Sequence, residues 1–215
     1  MPDLQGLHYI AMAGDLRLPP LLLMHGSSMD ETELLPLAAE AAPDHPVISL
    51  RGGIAWEGGY AFFRRNSDRT LDNADLAVQT GRIHLFLATA IETQLISAPP
   101  ILLGFSNGAI MAASLLMHDP ACALGAVVIR PLSPAPDAAL PPMAAKPILI
   151  LGGEYDDRRQ PEDAAKSAQQ LQAAGAKVEF QISPTGHGLH ENEPGIIKRW
   201  LETETFSLVA EDPHR

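Results

Sequence analysis

The stretch Ile101-Leu102-Leu103-Gly104-Phe105-Ser106-Asn107-Gly108 decides how this chain is read. Three apolar residues suit a buried strand. A tight turn carrying a serine follows, and residues 109–118 continue as a helix. A serine at such an elbow is held in a strained backbone conformation, with its hydroxyl exposed above the sheet edge. Strand and helix pack closely there, so the positions two before and two after it must lack bulk. The backbone N–H of Asn107, at the helix start, points to where an oxyanion would form. The five-residue pattern alone is weakly specific in a chain with 17 glycines. The strand before it and the helix after it supply the specificity.

The same alternation extends in both directions. Leu21-Leu22-Leu23-Met24, Val47-Ile48-Ser49-Leu50, Ala126-Val127-Val128-Ile129 and Ile148-Leu149-Ile150-Leu151 are near-continuous apolar runs. Such runs suit strands buried on both faces, as in a parallel sheet. Helical patterns lie between them, over residues 31–41, 72–96, 109–118 and 161–174. A last strand over 178–182 precedes a helix over 194–202. This order predicts an α/β fold: a doubly wound, mostly parallel sheet with helices on both faces, right-handed crossovers and no cap domain. Active groups then belong on loops at the carboxyl ends of the strands. No internal repeat is visible. Residues 131–147 hold six prolines and read as a surface loop; the tail after Phe206 reads as frayed.

With 215 residues the chain is long enough for one domain over 1–215, with its core over 21–201. A net charge of −11 argues against nucleic acid and anionic membrane surfaces as main partners. Cys122 is the single cysteine, so neither an internal disulfide nor a cysteine zinc site can form. It reads as a small buried hydrophobe. The N-terminus carries Asp3 and Asp15 without a basic cluster, and no apolar run reaches bilayer-spanning length. The expectation is a cytoplasmic protein without membrane insertion. No oligomer interface is readable, and a homodimer stays open.

A serine hydroxyl needs a base within hydrogen-bond reach, and the base needs an acid that orients it. In a sheet of this kind the chain order is serine, carboxylate, histidine. Ser106 comes first. Asp156 follows in Gly152-Gly153-Glu154-Tyr155-Asp156, just past the strand ending at Leu151. His187 comes last, in Gly186-His187-Gly188, past the final strand. Asp157 is the alternative acid and His190 the alternative base. His187, His190 and Glu191 are the one conceivable metal set, but they share one loop and no second cluster faces them. In His25-Gly26-Ser27-Ser28-Met29-Asp30 the backbone N–H of Ser27 is the first choice for a second oxyanion donor, that of Ser28 the next. His25 reads as an anchor for this loop, and Asp30 and Glu31 read as a helix start.

Residues 56–63 hold Trp56, Tyr60, Phe62 and Phe63, interleaved with Gly58 and Gly59. They read either as a wall of a substrate pocket or as a loop pinned down by its own aromatics. Arg51, Arg64, Arg65 and Arg69 lie near Glu57, Asp68, Asp72 and Asp75. Internal ion pairs are the expectation there, with a carboxylate-binding site as the alternative.

Taken together, Leu23-Met24-His25-Gly26, Gly104-Phe105-Ser106-Asn107-Gly108, Gly153-x-x-Asp156 and Gly186-His187-Gly188 resemble the bacterial carboxylesterase and phospholipase branch of the α/β-hydrolases. Arg51-Gly52 with Phe62-Phe63-Arg64-Arg65 also looks like a segment of that branch. The likeness runs over residues 21–201. It implies a serine carboxylesterase acting on small or short-acyl esters through an acyl-enzyme, with Ser106, His187 and Asp156 as triad and the N–H groups of Ser27 and Asn107 as oxyanion hole. No metal or organic cofactor is implied. A thioesterase or lysophospholipase would use the same triad, and a catalytically silent binding protein is the non-enzymatic alternative. Two departures stand out. The loop after His25-Gly26 is poorer in glycine than the branch's own. Where the branch has an apolar residue and a nearby proline after its acid, Asp157-Arg158-Arg159-Gln160-Pro161 intervenes.

Overall fold

The computed structural model describes residues 2–160 and 162–206. In chain order the strands are β1 (Asp3–Leu4), β2 (Leu7–Met12), β3 (Leu21–Met24), β4 (Val47–Leu50), β5 (Ile54–Trp56), β6 (Gly59–Ala61), β7 (Ile101–Phe105), β8 (Gly125–Ile129), β9 (Pro147–Gly153) and β10 (Lys177–Ser183). The helices are α1 (Leu35–Ala41), α2 (Asn73–Glu92), α3 (Asn107–His118), α4 (Asp163–Ala173) and α5 (Glu193–Thr203). Eight strands form one sheet in the order β1-β2-β4-β3-β7-β8-β9-β10. From β4 to β10 every pairing is parallel; β1 and β2 are antiparallel additions at one edge.

The period of two along each strand divides the core. Leu22, Met24, Leu102, Val128 and Ile150 face one way and pack with residues of α2, α3 and α4. Leu21, Leu23, Leu103, Ile129 and Leu151 face the other way and pack with α1 and α5. Both faces are therefore dry, which is why these strands read as unbroken apolar runs. Cys122 is buried, and burial pushes its thiol up to about 12, as befits an inert packing residue.

The structure departs from the expectations in four places. β2 was not foreseen, because its pattern mixes buried and exposed positions and carries no continuous apolar run. The segment expected as a single loop after β4 contains the β5–β6 hairpin, a separate two-stranded sheet. Helix α1 begins at Leu35, not at residue 31. Asp30 instead closes a turn by accepting from the Thr32 N–H and hydroxyl, and Pro36 sets the helix start. Helix α2 stops at Glu92, with Gln94 turned to φ +58°. The expected start of α4 at Pro161 and the frayed tail lie outside the described residues.

Candidate active site

Ser106, Asp156 and His187 come from the carboxyl ends of β7, β9 and β10. Neighbouring strands lie about 4.8 Å apart, so the loop after β10 must reach back over β9 and β8 to approach Ser106. It does so. His187 Nε2 is 2.8 Å from Ser106 Oγ, and His187 Nδ1 is 2.9 Å from both oxygens of Asp156. The Nδ1–H tautomer satisfies both contacts: it donates to the carboxylate and leaves Nε2 to accept the serine proton. Asp157 faces the open cleft and does not bond His187. His190 is turned away, its Nδ1 accepting from the Asn192 N–H at 3.3 Å.

The elbow is strained as the sequence requires. Ser106 has φ +51° and ψ −102°. A Cβ on Gly108 would collide with the Met24 carbonyl, and one on Gly104 with the Gly108 carbonyl. The two glycines therefore let α3 start directly over β3 and β7. The Gly108 N–H donates to the His25 carbonyl at 3.0 Å and ties the elbow to the loop after β3.

That loop is itself held from several sides. Buried His25 bonds the Gly26 carbonyl through Nδ1 (2.6 Å) and accepts the Gly52 N–H at Nε2 (2.9 Å). Its burial lowers the ring's proton affinity, so the neutral form serves both contacts. Glu33, raised by burial, accepts the Gly26 N–H at 2.6 Å. Glu31 is buried and forms a forked pair with Arg51, whose guanidinium also lies over Tyr60 at 4.6 Å. The Ser28 N–H is committed to the Tyr60 carbonyl at 2.9 Å. Among the described residues the N–H groups of Ser27 and Asn107 have no such acceptor; Ser27 lines the cleft at Ser106, and Asn107 follows Ser106 as the first residue of α3.

The aromatics divide between the two readings. Trp56 lines an open cleft of about 470 Å³ together with Ser106, His187 and Phe105. Phe62 and Phe63 do not: each is 1% exposed and lies in the core, Phe62 against the His25 ring. The Phe62 N–H is held by the Asn107 side chain at 2.8 Å. Tyr60 braces the loop after β3 instead of facing the cleft. In this region Arg69 pairs with Glu57 at 3.7 Å, and Arg51 pairs with Glu31, a carboxylate outside the expected set. Asp68 closes a local turn instead, Asp72 caps the start of α2, and Asp75 accepts the Arg64 N–H.

Burial pulls the His187 imidazole below the ordinary histidine range. Asp156 opposes this, and Arg159 and Arg158 add to it. A model of the dienelactone hydrolase family matches residues 89–205, more than half of the chain and the part that contains Ser106, Asp156 and His187. The chain belongs to the dienelactone hydrolase family. MhqD of Bacillus subtilis (strain 168) is 34% identical over 183 residues, covering 85% of this chain and 92% of its own. The Bacillus cereus carboxylesterase superposes with a TM-score of 0.87 at 31% identity, over 91% of this chain and 93% of that one. A carboxylesterase from Mesorhizobium loti gives 0.85 at 27%, over 95% and 98%. The fold of this family member is thus that of an α/β-hydrolase, and no helix among its described residues is long and apolar enough to cross a membrane.

Two features of the site escaped the sequence reading. Arg130 follows β8, the strand between those of Ser106 and Asp156. Its guanidinium donates to the carbonyls of Gly186 (3.2 Å) and Gly188 (2.7 Å), on either side of His187, and to Glu193 (2.7 Å). Arg159 donates to Ser106 Oγ at 3.3 Å. No local pattern marks either one, because each depends on which strands are neighbours. The arginine-rich departure after Asp156 was the one available signal for Arg159.

Proposed function

We propose that this family member is a serine carboxylesterase that cleaves small or short-acyl esters through an acyl-enzyme. The observation that carries the reading is the unbroken line from the Asp156 carboxylate through His187 to Ser106 Oγ, at 2.9 and 2.8 Å. Ser106 gives its proton to His187 Nε2 as Oγ attacks the ester carbonyl. The N–H groups of Ser27 and Asn107 receive the negative charge that develops on the carbonyl oxygen. The imidazolium, held by Asp156, passes its proton to the departing alkoxide. Water then attacks the acyl-serine by the same route and releases the acid, restoring Ser106. The carboxylesterases of Bacillus cereus and Mesorhizobium loti, alike over most of their length, support the choice of ester over other acyl bonds. A cytoplasmic setting belongs to the same reading, supported by a single cysteine and no possible internal disulfide.

The test is covalent labelling with a fluorophosphonate. Ser106 should carry the phosphonyl group in a peptide map, and Ser106→Ala should carry none. Labelling elsewhere, or ester hydrolysis that persists in the alanine variant, would overturn the assignment.

A further inference from the structure

The eight-strand sheet ends differently at its two edges. At one, β1 is only two residues long, too short to template another strand. At the other, β10 runs for seven residues, and among the described residues no strand pairs with its outer side. The Lys177 N–H donates to the Lys146 carbonyl, and the Ser183 carbonyl accepts the Glu154 N–H. The backbone groups of these odd-numbered residues thus face β9. Along a parallel strand such residues alternate with ones whose groups point away. Val178, Phe180 and Ile182 therefore turn their N–H and carbonyl groups to the open edge.

The same three residues carry apolar side chains on one face, the face that α4 covers. A Cβ on Gly152 of β9 would meet Ile182, Phe180 and Ala164 of α4, and Val178 packs against that side of the core. Yet Phe180 is 38% exposed and Ile182 48%. The charged and amide side chains of the strand lie on the other face. Lys177 pairs with Glu204 at 2.8 Å, and Gln181 donates to Glu179 at 2.6 Å. No proline or bulge interrupts the strand, whose register with β9 is continuous. An unbroken edge with apolar side chains is a template for pairing with another chain.

We propose that β10 pairs antiparallel with β10 of a second copy of this chain, about a twofold axis through Phe180. In this register every outward-turned residue meets another. Phe180 faces the partner's Phe180, Val178 faces the partner's Ile182, and each facing pair exchanges both of its backbone hydrogen bonds. The apolar side chains join into one stripe across the two copies. On the other face Glu179 meets the partner's Gln181 and Lys177 the partner's Ser183, so no like charges are opposed. The neighbouring registers are poorer. One sets Glu179 against the partner's Glu179; the other sets Val178 against the partner's Pro184, which has no N–H to give. A strand that complements itself in this way fits a second copy better than an unrelated chain. The two sheets become one, and the clefts at Ser106 open at its opposite ends.

The experiment is sedimentation equilibrium of the full chain from about 1 to about 100 µM. A reversible dimer is expected, tighter as salt rises, because each copy carries a net charge of −11. Phe180→Lys sets two like charges face to face and should weaken the dimer at least about tenfold. Phe180→Pro removes an N–H that turns outward, so it should break the joint and leave the pairing with β9 intact. Both variants should keep the circular dichroism of the unaltered protein. The register is read by crosslinking. Cys122 is buried, so Phe180→Cys adds an exposed thiol. Facing residues of a hydrogen-bonded pair lie about 5.5 Å apart, within disulfide reach, and mild oxidation should link the two copies. Glu179→Cys, which faces the partner's Gln181, should link at least about tenfold more slowly. A chain that is monomeric at about 100 µM would overturn the pairing. So would a dimer that both Phe180→Lys and Phe180→Pro leave intact, or faster linking at position 179 than at 180.

Discussion

Arg130 and Glu193 form an ion pair with neither side chain exposed, Nη1 to Oε1 at 2.7 Å, and the pair holds the loop that carries His187. Glu193 also accepts from the His190 N–H and the Ser183 hydroxyl, so both ends of this loop meet its carboxylate while Arg130 holds the middle.

Removing one partner of this pair leaves an uncompensated buried charge. Glu193→Gln should lose about 3–5 kcal/mol of stability in urea unfolding. The double variant Arg130→Met with Glu193→Leu should regain most of that loss, since an apolar pair of similar volume is tolerated. Its kcat should stay at least about tenfold low, because the Gly186 and Gly188 carbonyls lose the donor that sets the position of His187. A double variant with normal kcat would reduce the pair to a purely structural role.

Ser106→Ala should reduce ester turnover by about a million-fold while the protein stays folded. Ser106→Gly should be equally inactive but more stable than the alanine variant, by about 1 kcal/mol. The backbone at φ +51° and ψ −102° costs a side-chain-bearing residue more than it costs glycine. Equal melting of the two variants would mean that the elbow stores no such strain.

The pH profile should carry the sign of the His187 shift. The imidazole must be neutral to accept the serine proton, so kcat/KM rises with pH through its ionisation. Burial, with Arg159 and Arg158, places that ionisation below the ordinary histidine value of about 6.5. Arg159→Gln removes a positive charge nearby and should move the acid limb to higher pH. A limb that stays still or moves down in this variant would separate Arg159 from the base.

Chain length should matter in one direction. The apolar lining near Ser106 comes from Trp56 and Phe105, while Phe62 and Phe63 are sealed in the core. Each buried methylene is worth about 0.8 kcal/mol where a wall exists to receive it. kcat/KM for neutral p-nitrophenyl esters should therefore peak at short acyl chains and fall before the fatty-acid range, measured below micellar concentrations. A maximum at long chains would favour a lysophospholipase or long-chain thioesterase.

Much of the frame was legible because it is written in local patterns. Strands β3 and β4 match the near-continuous apolar runs residue for residue, since both faces of each are covered and the one polar residue, Ser49, is buried and donates to the Glu31 carbonyl. The order Ser106, Asp156, His187 followed from three strand ends, each marked by glycines that a close turn demands. Strand β2, next to the edge, and the hairpin β5–β6 were not legible. Half of their residues meet water, so they carry no continuous apolar signal.

The sequence by itself determined the alternating architecture, the strained turn at Ser106 and the chain order of the three candidate catalytic groups. These depend on periodicity and on residues a few positions apart. Tertiary structure alone decided that Asp156 and not Asp157 meets His187, and that the Ser28 N–H is spent on Tyr60 while that of Ser27 is left toward the cleft. It alone brought Arg130 under the His187 loop and Arg159 against Ser106. Those choices turn on sheet order: β8 lies between β7 and β9, and side chains tens of residues apart become neighbours only once the strands have paired.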